Sequence, residues 1–147
     1  MTTQSEISFK LTGHSPLFSS LDKDVLNRLI NEAPLISFDK KKLVIREGDP
    51  GEAMYIIKSG MARVYTSRDD QEVELAVLGP GACIGEVATL TGSPRTATVM
   101  TMEPCEMFQF SKRQIDAVLE EYPKVKTRLE SLVLGRARDT IEKITRH

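Results

Sequence analysis

Residues 79–99 read GPGACIGEVATLTGSPRTATV, the most informative stretch in the chain. Gly79, Pro80 and Gly81 form a turn signal. Ala82 to Ile84 suit a short strand, and Gly85 permits a sharp bend or a close backbone approach. Glu86 to Leu90 suit one helical turn, too short to stand alone. Gly92, Ser93 and Pro94 break it, and Thr96 to Thr101 run on as a β-branched strand. The predicted order is strand, Gly-Glu, helical turn, loop, Pro-Arg, strand.

That order carries a binding chemistry. The start of a short helix presents unpaired backbone N–H groups and a partial positive charge, which suits an anion. Arg95 adds a permanently charged planar fork that can hold a phosphate through two bonds. Ionised Glu86 can only accept hydrogen bonds, so it suits a sugar hydroxyl. A compact nucleotide whose phosphate lies close to its ribose satisfies both. Taken singly, Glu86 could complement a helix dipole and Arg95 could be a solvated loop residue. Together in this frame, between Gly85 and Pro94, they read as a clamp.

The segments Gly85-Glu86-Val87-Ala88-Thr89-Leu90 and Pro94-Arg95-Thr96-Ala97-Thr98-Val99 resemble the phosphate-binding cassette of the cyclic nucleotide-binding domain family, as found in catabolite activators and protein kinase A regulatory subunits. The resemblance extends upstream through Arg46-Glu47-Gly48-Asp49-Pro50-Gly51 and Met54-Tyr55-Ile56-Ile57, with Ser59-Gly60 at a barrel corner. It implies that Glu86 bonds the ribose 2′-hydroxyl and Arg95 the cyclic phosphate. Backbone N–H groups at Gly85, Val87, Ala88, Thr96 and Ala97 would supply the remainder. Two departures stand out. Lys40 to Lys42 fill a region where a Gly usually precedes the strand, and Ala82, Cys83 and Ile84 replace an acidic residue and an aromatic pair.

The bulk composition fits such a domain. The chain has 147 residues, 40% hydrophobic and 28% charged, enough for one soluble domain with a real core. A formal charge of −1 argues against a surface that attracts nucleic acid overall. No apolar run reaches the length of a membrane span, and no secretory signal pattern opens the chain, so a cytoplasmic location is expected. Cys83 and Cys105 are the only cysteines, both in strand-like apolar context, where cysteine acts as a small hydrophobe.

Around the cassette the pattern predicts a mainly β domain with flanking helices. Short strands with frequent turns indicate a barrel or jelly roll at its centre, and the resemblance implies an eight-stranded antiparallel β-roll of the jelly-roll, double-stranded β-helix type. Residues 1–14 read as a loose arm, and 15–147 as the domain, with the barrel at about 35–111 and two helices over 112–147. Leu21, Val25, Leu26, Leu29 and Ile30 form the stripe of an opening helix capped by Ser20 or Asp22 and ended by Pro34. Strands follow at Leu35–Phe38, Lys42–Arg46, Met54–Lys58 and Met61–Ser67. In the strand from Glu72 to Leu78, Val73, Leu75 and Val77 alternate against Glu72, Glu74 and Ala76. Cys105 to Phe110 closes the barrel with Phe108 and Phe110 in the core. Ser111 caps a helix over 112–121 whose apolar face is Ile115, Val118 and Leu119.

A last helix is predicted from Lys124 to about Thr145, and the segment from Lys124 through Arg146 carries seven basic against three acidic side chains. Such charges form a solvated face more often than a nucleic-acid contact. The family resemblance implies that the two C-terminal helices act as hinge and lid over the base; the sequence does not single out the lid contact, for which Arg136, Arg138, Leu132 and Leu134 are the candidates. The same residues could instead form a homodimer seam. Thr96, just after Arg95, is associated in relatives with reading guanine, yet many such members bind cAMP; the ligand is cAMP or cGMP, with cAMP slightly ahead.

Three classes of function compete. The first is a non-catalytic cyclic nucleotide sensor regulating a protein partner in trans, with no membrane association. The second is a ligand-free interaction domain of the same fold. The third is a cupin-like enzyme, which needs a ligand cluster usually rich in His; only His14 and His147 exist, near the ends, so no metal is expected.

Overall fold

The computed structural model describes residues 21–127 and Ser131. The expected N-terminal arm, the alternative helix cap Ser20 and nearly all of the last predicted helix, with its lid and dimer candidates, lie outside the described residues.

Helix α1 (Lys23–Glu32) buries Val25, Leu26, Leu29 and Ile30, and Leu21 just before it joins them. Asp22 is its N-cap by position, without a side-chain hydrogen bond. The helix stops two residues before Pro34, whose ring disfavours helical backbone at the residue before it.

Eight strands follow: β1 (Leu35–Phe38), β2 (Leu43–Ile45), β3 (Ala53–Ser59), β4 (Ala62–Arg68), β5 (Gln71–Leu78), β6 (Cys83–Ile84), β7 (Thr98–Thr101) and β8 (Cys105–Ser111). Helix α2 (Glu86–Thr91) lies between β6 and β7, and α3 (Lys112–Glu121) follows β8. The strands form two four-stranded sheets, β1-β8-β3-β6 and β2-β7-β4-β5, with every pair antiparallel. This is the predicted β-roll.

The two central strands of the first sheet, β3 and β8, bury side chains on both faces. On one face Met54 and Ile56 of β3 and Phe108 and Phe110 of β8 pack against α1 and against Ile115, Val118 and Leu119 of α3. On the other face Ile57, Met107 and Cys105 meet Ala62 and Val99 of the second sheet. Ser111 caps α3 by a capping box: its hydroxyl accepts from the Gln114 N–H while the Gln114 side chain accepts from the Ser111 N–H.

The strand read from Glu72 to Leu78 departs from its expected alternation. It is an edge strand, exposed at every position up to Val77. A bulge between Val64 and Tyr65 sets Leu75 as the extra residue. Val73 therefore pairs with Thr66 while Val77 pairs with Arg63, and these partners project to opposite faces of β4. Val77, at 45% exposure, stands outside beside Arg63, which lies 4.4 Å over the Tyr65 ring and bridges to Glu72 and Glu74. The hairpin tip is a two-residue turn, with φ of 51° at Asp69 and 63° at Asp70.

Candidate functional site

The backbone of Arg95 is fixed before its side chain is considered. Pro94 bridges Pro50, the Arg95 N–H donates to the Asp49 carbonyl at 2.8 Å, and the Gly48 N–H donates to the Arg95 carbonyl at 2.9 Å. The turn at 47–51, rich in Gly, Pro and Asp, thus serves as the second strand against which the arginine segment lies. Glu47 anchors that turn to β4, accepting from the Thr66 hydroxyl at 2.7 Å and the Ser67 N–H at 3.1 Å.

The Arg95 side chain runs inward to only 6% exposure. Its Nη1 donates to the Gly85 carbonyl at 2.9 Å and to the Thr89 hydroxyl at 3.5 Å, and its Nη2 donates to the Ala53 carbonyl. All three acceptors are neutral. Burial lowers the guanidinium pKa from its ordinary value, while the fields of Tyr55 and Asp49 oppose that shift. Arginine remains protonated even so, and the result is a desolvated cation held among dipoles. An anion brought to it would form charge-assisted bonds about twice as strong as neutral ones.

Gly85 allows this approach. It is the N-cap of α2 at φ 79°, in the left-handed region where side chains are strained. A β-carbon there would overlap Arg95 Nη1 and sit 3.1 Å from its Cζ. Gly51 allows a second approach: a β-carbon on it would lie 2.5 Å from the Ala88 carbonyl carbon. The 47–51 turn is therefore pressed directly against α2.

The residues read from the sequence fall as follows. Gly85 and Arg95 are joined by a hydrogen bond. Glu86 opens α2 at 5% exposure, Ala88 is buried under Gly51, and Val87 lies between them in the helix. Thr96 is exposed and Ala97 half-buried, and both lie in a bend. The strand expected from Thr96 begins only at Thr98, where pairing with Tyr65 starts. β-propensity alone could not see that Arg95, tied to Asp49, holds the chain off the ladder for two more residues. Sequence reasoning gave no role to Ala53 or Thr89. The carbonyl of Ala53 leaves no side-chain signal, whereas Thr89 sits inside the motif and three residues past Glu86.

Other chemistries find little material. Among the described residues no group of three or more His, Cys, Asp or Glu side chains could hold a metal ion. Cys83 and Cys105 are not joined in a disulfide, and burial pushes the Cys105 pKa up, away from the reactive thiolate. Among the described residues no helix is long and apolar enough to cross a membrane.

Comparison with known proteins bears on the same segment. The family model described as "Cyclic nucleotide-binding domain" matches residues 35–122, from β1 to the end of α3. The human potassium/sodium hyperpolarization-activated cyclic nucleotide-gated channel 4 is 32% identical over 127 residues, covering 86% of this chain and 10% of the channel. The chain thus spans about a tenth of that relative's length. The regulatory domain of Toxoplasma gondii PKA, solved with cAMP, superposes with a TM-score of 0.71 at 32% identity, over 78% of this chain and 43% of that one. The catabolite activator protein of Thermus thermophilus superposes at 0.73 with 27% identity, over 89% and 62% of the two chains.

Proposed function

Because this chain belongs to the cyclic nucleotide-binding domain family, we propose that it is a non-catalytic sensor in which Arg95 takes the cyclic phosphate and Glu86 the ribose 2′-hydroxyl. One observation carries the reading. A buried guanidinium, bonded among the described residues to three neutral oxygens, lies in the same loop as a buried carboxylate. A cyclic phosphate exchanges those neutral acceptors for an anion without further desolvating the cation. Backbone N–H groups of Gly85, Val87, Ala88, Thr96 and Ala97 add to the phosphate's bonds. Thr96 and Ala97 lie before the β7 ladder begins, which supports that role.

The ligand is cAMP or cGMP, with cAMP ahead; the cAMP complex of the Toxoplasma PKA regulatory domain, similar in sequence and fold, favours it. The exposed hydroxyl of Thr96 leaves cGMP as the second candidate. The sensor acts in the cytoplasm on a protein partner in trans, needs no metal, and passes on the difference in ligand affinity between its two conformations.

A ligand-free interaction domain of the same fold accounts for one feature equally well, since the chain's own oxygens already hold Arg95. Isothermal titration calorimetry with cAMP, cGMP and 5′-AMP separates the two readings. The sensor binds at least one cyclic form and binds 5′-AMP more weakly, because opening the ring moves the phosphate away from the ribose 2′-hydroxyl. No heat with either cyclic form leaves the interaction domain.

A further inference from the structure

Lys112, the first residue of α3, closes a ring of contacts that begins at Arg95. Its Nζ donates to the Thr89 carbonyl at 3.1 Å, near the C-terminal end of α2. Its backbone N–H donates to the Glu52 carbonyl at 2.9 Å. Arg95 bonds the same two neighbours: the Thr89 hydroxyl, and the carbonyl of Ala53, next after Glu52. The ring therefore runs Arg95, Thr89, Lys112, Glu52–Ala53 and back to Arg95. Leu90 adds an apolar contact from α2 to the cluster containing Ile115, Val118 and Leu119 of α3.

The chemistry of the Lys112 contact suits a coupling role. A cation near a helix C-terminus meets carbonyls that lack helical partners, and it is attracted by the helix dipole. The Asp116 carboxylate lies 3.5 Å from the same ammonium, one turn along α3. Lys112 thus links the end of α2 to the first turn of α3 by charge, with its head group partly in solvent. Thr89 joins the two cations through different atoms, its hydroxyl to Arg95 and its carbonyl to Lys112.

We infer that Lys112 is a positioning residue that transmits the occupancy of the Arg95 site to helix α3. The inference rests on Arg95 being the anion-binding group. When an anion takes Nη1 and Nη2, the hold on Thr89 and Ala53 is exchanged for the ligand, and both ends of the Lys112 linkage are released to shift together. Lys112 makes α3 follow α2, because it is bonded to α2 through its side chain and to β3's entry through its backbone.

Hydrogen exchange of the full chain, read at residues 112–121 with and without cAMP, tests this. The wild type changes protection there on adding cAMP. Lys112→Met loses at least half of that change while binding cAMP within about threefold of wild type by calorimetry, and Lys112→Arg keeps it. A Lys112→Met protein that binds cAMP and shows the full change overturns the inference and leaves the binding function intact. A wild type that binds neither cyclic nucleotide overturns the binding function instead. The coupling is then read without ligand, from melting temperatures of Arg95→Lys, Lys112→Met and the double variant. A combined loss smaller than the sum supports the ring, and additive losses overturn it.

Discussion

The guanidinium of Arg95 occupies the space that a β-carbon on Gly85 would need, and the same guanidinium donates to the Gly85 carbonyl at 2.9 Å. The two residues, ten positions apart, are fitted to each other by an absence on one side and a long side chain on the other. Gly85→Ala brings both a steric overlap and a left-handed backbone strain of about 1–2 kcal/mol. The expected result is a melting temperature lower by several degrees together with loss of cyclic nucleotide binding in calorimetry. A variant with wild-type affinity would place the anion elsewhere.

Arg95→Ala removes the only buried cation of the loop. Hydrogen bonds to charged groups contribute about 1.5–3 kcal/mol each, so affinity for the cyclic nucleotide falls by roughly two orders of magnitude or more. Glu86→Ala loses a ribose bond and weakens binding by about 1–3 kcal/mol. Titration of both variants beside the wild type checks the ranking. Equal losses would mean that the phosphate does not dominate.

Gly51→Ala inserts a methyl group 2.5 Å from the Ala88 carbonyl carbon. Neither backbone can yield without moving the 47–51 turn off α2, and overpacking of this kind costs about 1–3 kcal/mol. Because that turn also bonds the Arg95 backbone, nucleotide affinity drops along with stability in urea. Gly51→Ala with unchanged affinity would show that the turn only supports the fold.

Cys105 gives the pH dependence a definite sign. Burial raises its pKa, so the folded state keeps the thiol proton to higher pH than the unfolded chain does. Its contribution to stability is fully present below the unfolded thiol value of about 8.5. It is lost as pH rises through that value towards the raised folded one. Urea denaturation from pH 7 to 10 should show a decline that is smaller in Cys105→Ala. In the native protein at neutral pH, a thiol reagent should modify half-buried Cys83 first, with Cys105 following only on unfolding.

Much of this is legible in the sequence. The capped helix over 112–121, the stripe of α1 and the two phenylalanines of β8 announce themselves because helix period, capping and full burial leave local marks. The Gly-Glu to Pro-Arg frame marks the candidate site in the same way. What stayed hidden is made of backbone or of register. The Ala53 carbonyl has no side chain to betray it, and the pressing of Gly51 on Ala88 is a distance between segments far apart in sequence. The exposure of β5 follows from its place at the edge of its sheet, and its register is shifted by one extra residue, neither of which an alternation pattern of β5 alone can reveal.

That extra residue in β5 makes the hairpin a gauge of chain length. Deleting Leu75 would restore an even ladder while keeping Ala76, Val77 and Leu78 on their present partners. Deleting Val73 or Glu74 would instead force the remaining residues to choose between the bulge and their facing. Lengthening the tip at Asp69–Asp70 lies beyond the last pair, Arg68 with Gln71, and leaves every register above it untouched. The hairpin can therefore accept inserted sequence at its far end, as a place to carry a reporter or a tether, while losing Val73 or Glu74 midway changes which side of the sheet a neighbour faces.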